Sequence, residues 1–200
     1  MTLSNQRKIQ LNAKIGATGW NSSAKWSDAF EALFQQHWER LCTILYRLVG
    51  DWDEAQDLAL EAFVQYFRRP PKREDNPSGW LYRVATRLGL NALRSRRRRR
   101  AYETRLGPEE DNSLNDPALE VELEQERAHV RQILSDMPPH SAQLLLLRYS
   151  DFSYAEIALA LEISPGSVGT LLARAEREFE RRYAQDTTRP RLTPPGEWRR

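Results

Sequence analysis

From Phe30 onward, apolar residues return every three or four positions, and no segment makes a convincing strand. A repeat near 3.6 puts such residues on one stripe of an α-helix, so the chain reads as all-α, with roughly five to eight helices. Phe30, Leu33, Phe34, Trp38, Leu41, Leu45 and Leu48 form the first stripe, closed by Gly50. Asp51 or Asp53 can cap a second helix, whose inner face runs through Ala55, Leu58, Ala59, Ala62 and Phe63 to Tyr66 and Phe67. Pro70 and Pro71 stop it. After a polar loop, Asn76-Pro77 pairs a capping side chain with a first-turn proline. Trp80, Leu81, Val84, Ala85 and Leu88 then point inward, and the helix runs out into Arg96–Arg100. These three helices make one small module over residues 28–104.

The remaining boundaries follow from composition. Residues 1–27 lack apolar periodicity and read as a flexible extension. Residues 105–127 are an acidic linker, with Gly, Pro, Asn, Asp and Ser clustered in GPEEDNSLNDP at 107–117. Helical periodicity resumes at Ala118, and a second module spans residues 128–183. The proline-containing segment 184–200 reads as a disordered tail. The expected architecture is therefore two small helical domains joined by a flexible acidic linker.

The net charge of +2 averages two opposite blocks. Between Arg68 and Arg105, a run of arginines and Lys72 faces only Glu74, Asp75 and Glu103. Between Pro108 and Asp136, nine acids face only Arg127 and Arg131. Basic stretches of such density meet nucleic acid, because an unbroken arginine run repels itself and seeks an anionic partner. Cys42 is the single cysteine, which excludes an internal disulfide and a cysteine-rich zinc site. Residues 1–27 carry no apolar core of a secretion signal, and no run of about 18 apolar residues exists. The expected location is the cytoplasm, with no membrane segment.

Residues 154–173 (YAEIALALEISPGSVGTLLA) fit a helix-turn-helix template. Ile157, Ala158 and Leu161 supply the inward face of its first helix, Ile163 plugs the turn, and Val168, Leu171 and Leu172 pack the second helix back. Ser164-Pro165 offers a cap and a first-turn proline. Such a unit presents its second helix to the DNA major groove. Ser164, Ser167, Thr170 and Arg174 are the candidates to reach base edges, and Arg177, Arg181 and Arg182 to reach phosphates. One slot departs from the template: Glu162 stands at the turn, where glycine is usual because the backbone favours positive φ. The departure either costs on the order of 1 kcal/mol locally or gives the turn a slightly different shape.

With these pieces placed, the chain resembles the extracytoplasmic-function class of bacterial RNA polymerase sigma factors. The resemblance rests on GDWDEAQDLALEAFVQYF (50–67), WLYRVATRLGLNALRSRRRR (80–99) and LSDMPPHSAQLLLLRYSDFSYAEIALALEISPGSVGTLLARAEREF (134–179). It implies a specificity subunit that binds core polymerase and directs promoter recognition, −10 melting and initiation. The first module would dock on the clamp helices of the largest subunit through Gln56, Asp57 and Glu61, and the second would reach the flap. Leu60 stands where members usually carry glutamine, so contact there would instead be made by packing. The −10 element would be read on the non-template strand by Lys72, Arg73, Asn76, Arg83, Arg87, Asn91 and Arg94. The −35 element would meet Ser164, Ser167, Thr170, Arg174 and Arg177 as duplex. Relatives often place basic residues where this chain has Gly169 and Leu171, so −35 affinity would rest on Arg174, Arg177 and tethering by polymerase. The resemblance admits an anti-sigma protein as a further partner.

Several residues keep two readings. Trp80, Tyr66 and Phe67 suit core packing better than base stacking, and Tyr82 suits either. Arg96–Arg100 read as phosphate contacts rather than a solvated helix end. Glu109, Glu110, Asp111 and Asp116 either imitate RNA phosphates or serve as a solubilising spacer. Asp51, Asp53, Glu54, Asp57 and Glu61 cluster in sequence but lack the spacing and turn glycine of a calcium loop. His37, His129 and His140 have no metal-ligand or triad spacing. The expectation is a chain without catalytic residues, metal or cofactor. The alternative is a stand-alone helix-turn-helix regulator, which would leave the basic first module unused.

Overall fold

The computed structural model describes residues 28–69, 76–106 and 118–187. The predicted extension 1–27, the loop 70–75 with Lys72 and Arg73, the linker acids 109–116 and the tail from 188 lie outside the described residues. Seven helices follow in order: α1 (Asp28–Val49), α2 (Trp52–Arg68), α3 (Pro77–Leu106), α4 (Ala118–Asp136), α5 (Pro139–Arg148), α6 (Tyr154–Leu161) and α7 (Pro165–Thr187). No strand occurs among the described residues, and the fold is all-α.

Local signals set the helix ends. Gly50, at φ 78°, lets the chain leave α1 and donates from its N–H to the Tyr46 carbonyl at 2.8 Å. Of the two possible caps for α2, Asp51 is the one used, accepting from the Glu54 N–H at 2.7 Å. Asn76 caps α3 by accepting from Gly79 N–H at 2.9 Å. Ser153 and Glu156 form a reciprocal capping box at the start of α6, which holds the Glu156 carboxyl below its ordinary pKa.

Helix α1 lies against α2 and α3, filled by Leu41, Leu45, Leu48, Phe63 and Leu81, all essentially inaccessible to solvent. Each such side chain contributes about 1.5–3 kcal/mol through removal from water. Gly89 permits this packing: a Cβ there would stand 2.6 Å from a Leu48 methyl and 2.9 Å from a Leu45 methyl. Phe30, Tyr66, Phe67 and Trp80 extend the cluster, with Phe30–Tyr66 stacked at 6.1 Å and Tyr66–Trp80 edge-on at 5.5 Å. Core packing therefore accounts for Tyr66, Phe67 and Trp80. Tyr82, for which sequence left two readings, is also buried in the core.

Helices α5, α6 and α7 pack on one another around Leu144, Leu147, Ile157, Val168 and Leu172, and α4 lies against α7. The two groups share α3, which contacts α1 and α2 on one side and α4, α5 and α6 on the other. One apolar cluster runs without a break from Phe30 to Ala175. Among the described residues, no single helix is long and apolar enough to cross a membrane.

Candidate nucleic-acid interface

Two surfaces carry the predicted DNA contacts. The first belongs to α6 and α7, which meet at a bend of 92°, within the usual range for a helix-turn-helix. The turn is tied by the Ile163 N–H, which donates to the Ala158 carbonyl at 3.0 Å, and by the Ser167 N–H, which donates to the Ser164 carbonyl at 2.9 Å. Glu162 does occupy the left-handed region, at φ 56° and ψ 43°, so the turn keeps the template geometry and the glutamate bears the strain. Val168 and Leu172 are buried, and Leu171 packs partly buried against the core. Leu171 therefore spends its side chain on packing rather than on the exposed face of α7.

Ser164, Ser167, Thr170, Arg174 and Arg177 are all exposed. From Ser167 the spacing is three, four and three, which lays the last four along one face of α7. Arg177 folds back to donate from Nε to the Ala173 carbonyl at 2.9 Å, leaving the outer guanidinium nitrogens pointed away from that bond. This face offers short polar groups toward its N-terminal end and guanidinium groups one and two turns on.

The second surface belongs to α3. Arg83, Arg87, Asn91 and Arg94 share one helix face by spacing, yet the structure separates them into two kinds. Arg87 and Asn91 are exposed. Arg83 pairs with Glu162 at 2.5 Å, and Asn76 donates from Nδ2 to the Leu159 carbonyl at 2.9 Å. Arg94 donates from Nε to the Ser135 carbonyl at 3.1 Å and from Nη2 to the Met137 carbonyl at 2.8 Å. The uniform reading of Arg96–Arg100 as phosphate contacts does not hold. Arg96 pairs with Glu54 and donates to the Val49 carbonyl at 2.8 Å, and Arg97 pairs with Asp136. Arg98 and Arg99 are exposed.

On α2, Asp57 is exposed, while Gln56 and Glu61 are half-buried, with Glu61 accepting from Gln65 Nε2 at 3.1 Å. Leu60 is buried in the chain's own core, which removes it as a docking contact by packing. Glu54 is occupied by Arg96, and no cluster of three or more metal-ligating side chains forms among the described residues.

Sequence reasoning missed a third group of residues, those between the modules. Arg40 donates to the Ser150 and Asp151 carbonyls at 3.1 and 3.2 Å and lies 3.9 Å from the centre of the Phe152 ring. Arg47 donates to the Tyr149 carbonyl at 3.0 Å. Buried Gln143 donates from Nε2 to the Arg83 carbonyl at 3.0 Å and to Thr86 Oγ1 at 2.9 Å. Tyr82 meets Phe152 edge-on at 4.7 Å and the His37 ring nitrogen at 3.0 Å. Burial pushes the Tyr82 hydroxyl up to about 12. Burial, and then the Arg40 guanidinium, hold His37 below its ordinary 6.5. One signal was legible: Gln143 is the lone polar residue in the apolar run Ala142–Leu147.

Comparison with known proteins decides the family. The sigma-70 region 2 profile matches residues 33–99, and the sigma-70 region 4 profile matches residues 127–179. The RNA polymerase sigma factor CarQ of Myxococcus xanthus is 30% identical over 161 residues, covering 77% of this chain and 87% of CarQ. This chain belongs to the extracytoplasmic-function class of sigma-70 family sigma factors. The ECF RNA polymerase sigma factor SigW of Bacillus subtilis is 28% identical over 80% of this chain and 90% of SigW. The ECF RNA polymerase sigma factor SigE of Mycolicibacterium smegmatis is 29% identical over 76% of this chain and 60% of SigE. This chain thus spans three fifths of SigE's length and most of SigW's and CarQ's. Sigma factors direct RNA polymerase to promoters; the region 2 match falls within α1–α3 and the region 4 match within α4–α7.

Proposed function

We propose that this sigma factor works in the cytoplasm as a non-catalytic subunit and divides promoter recognition between α3 and α7. In this reading Gln56, Asp57 and Glu61 on α2 meet the clamp helices of core polymerase, and region 4 meets the flap. Lys72, Arg73, Asn76, Arg83, Arg87, Asn91 and Arg94 engage the non-template strand of the −10 element. Ser164, Ser167, Thr170, Arg174 and Arg177 engage the −35 duplex. The domain limits are those of the sequence reading: region 2 over 28–104, an acidic linker over 105–127, and region 4 over 128–183.

One observation carries the reading. A helix bent 92° from its predecessor presents Ser167, Thr170, Arg174 and Arg177 to solvent along one face, on a chain matched by both sigma regions. The polar N-terminal end suits base edges, and the arginines suit flanking phosphates.

The test is reconstituted transcription. Purified chain and core polymerase, run over a library of bacterial promoter fragments, should yield run-off transcripts from discrete start sites, lost when Arg174 and Arg177 are both Ala. Duplex binding without any polymerase-dependent transcript would sink this reading in favour of a stand-alone helix-turn-helix regulator.

A further inference from the structure

Helices α4, α5 and α7 leave an apolar cleft between them, and no residue assigned above to DNA or to the clamp helices lines it. Its walls are Val130 and Leu134 from α4, Leu145 and Leu146 from α5 and Phe179 from α7, and its volume is about 570 Å³. A hollow of that size takes a ligand or a short chain segment rather than one side chain. Tyr149 also lines it and is 69% exposed, the highest figure for a large apolar side chain among the described residues. Apolar walls with a polar rim mark a docking site, because covering them removes apolar surface from water.

The charge of the rim narrows the choice of occupant. Glu176 and Glu180 line the cleft beside Phe179, at three- and four-residue spacing along α7. Neither makes an ion pair among the described residues. Arg47, which also lines the cleft, donates to the Tyr149 carbonyl at 3.0 Å. The α7 edge is therefore negative and suits an occupant with an apolar body and a cationic flank. By helical spacing this is not the side of α7 that carries Thr170, Arg174 and Arg177, so an occupant leaves those residues exposed.

We propose that the cleft is the docking site for the chain's own segment around Trp198, with the indole against the apolar walls and Arg199 and Arg200 against Glu176 and Glu180. Residues 188–200 lie outside the described residues, and their sequence supplies the required chemistry, Trp198 directly followed by two arginines. Reach favours this segment over the other tryptophan-bearing one. Glu180 lies about 10 Å before Thr187 along α7, and the chain from Thr187 to Trp198 can extend about 36 Å, ample for a return. Residues 1–27 join at Asp28, about 28 Å along α1 from Arg47, the α1 residue that lines the cleft. Trp26 is within about 7 Å of Asp28, and Trp20 reaches about 26 Å only if fully extended and has no cation beside it. Tethering offsets the weakness of so small a contact. A short tether holds its segment at about 1 mM, so a Kd of about 0.1 mM in trans still leaves it docked about ten to one. Any other partner that uses the cleft must first displace the segment.

The test is fluorine NMR of the full chain labelled with fluorotryptophan, in which Trp198→Phe assigns the Trp198 signal by removing it. That signal should be as broad as the one from buried Trp38 and displaced from its position in urea. Glu176 and Glu180 lie outside the core, so replacing both with Lys reverses their charge without disturbing the fold. Two exposed attractions become repulsions, which should lower the docked-to-free ratio about tenfold and move the signal about halfway to its urea position. Adding Arg199→Glu and Arg200→Glu to that variant should bring the signal back. Diluting the wild type about tenfold should change nothing, because cleft and segment belong to one chain. A narrow wild-type signal at the urea position overturns the proposal and leaves the cleft to another protein. A displaced signal that ignores the charge reversal, or that the charge swap fails to restore, overturns it by placing Trp198 elsewhere. A signal that narrows on dilution overturns it in favour of a segment supplied by a second copy.

Discussion

At the scale of single residues, His37 and Glu162 show how environment decides a role that residue type leaves open. His37 looked like an isolated histidine with no ligand spacing. Its ring nitrogen sits 3.0 Å from the Tyr82 hydroxyl and beside Arg40. Because folding depresses its pKa below 6.5, the folded chain resists protonation that the unfolded chain accepts. The stabilising contribution of His37 is thus complete above pH 6.5 and is lost as pH falls through the folded-state value. Urea midpoints measured at stepped pH from 7.5 downward should fall across that window, and His37→Gln should flatten the part of the fall that begins near 6.5. An unchanged slope in the variant would assign the effect elsewhere. Glu162 was visible in the sequence as a misfit at a glycine position, but its partner, Arg83, lies 79 residues away along the chain and could only be found by folding.

At the scale of helices, sequence was informative because periodicity, caps and breakers agree with one another. Asn76-Pro77, Gly50 and the paired prolines after Arg69 each mark an end that the structure respects or that borders its described residues. Arginine clusters were less legible, since composition cannot say which guanidinium finds an internal acceptor. Arg96 and Arg97 find Glu54 and Asp136, while Arg98 and Arg99 do not share those partners, although all four are neighbours in one run. Gly89 was also silent in sequence, as an isolated glycine inside a helical pattern. Alanine is the better helix former by about 0.5–1 kcal/mol. The added Cβ, however, would meet two fully buried leucine methyls, and overpacking of this sort costs about 1–3 kcal/mol. The second term wins, so Gly89→Ala should lower stability by about 1 kcal/mol or more, seen as a fall of a few degrees in Tm by circular dichroism. On α7, Arg174→Ala and Arg177→Ala should each reduce the salt slope of duplex binding by about one unit, where Leu171→Ala should instead unfold part of region 4.

At the scale of the whole chain, the sequence suggested two modules on a linker, and the structure has them share α3 and a continuous core. Nothing in the local pattern of either module announces that contact, because many of its polar links join side chains to backbone carbonyls, and carbonyls have no sequence signature. Shared burial has a thermodynamic consequence that can be measured. If the modules are coupled through Tyr82, Phe152 and Gln143, unfolding one removes apolar and hydrogen-bonded partners from the other, and both should melt together. Replacing Trp20, Trp26 and Trp198 with Phe confines tryptophan emission to Trp38, Trp52 and Trp80, all in region 2, whereas far-UV ellipticity reports every helix. The two urea curves should superimpose in that background. Adding Arg40→Ala should pull them apart, because its grip on the α5–α6 turn is lost while each module keeps its own core. Curves that already diverge with Arg40 intact would mean that region 2 and region 4 are stable separately and that their contact is too weak to couple them. Curves that stay superimposed without Arg40 would move the coupling to the buried pairing of Gln143 with Thr86, which Gln143→Leu would then break.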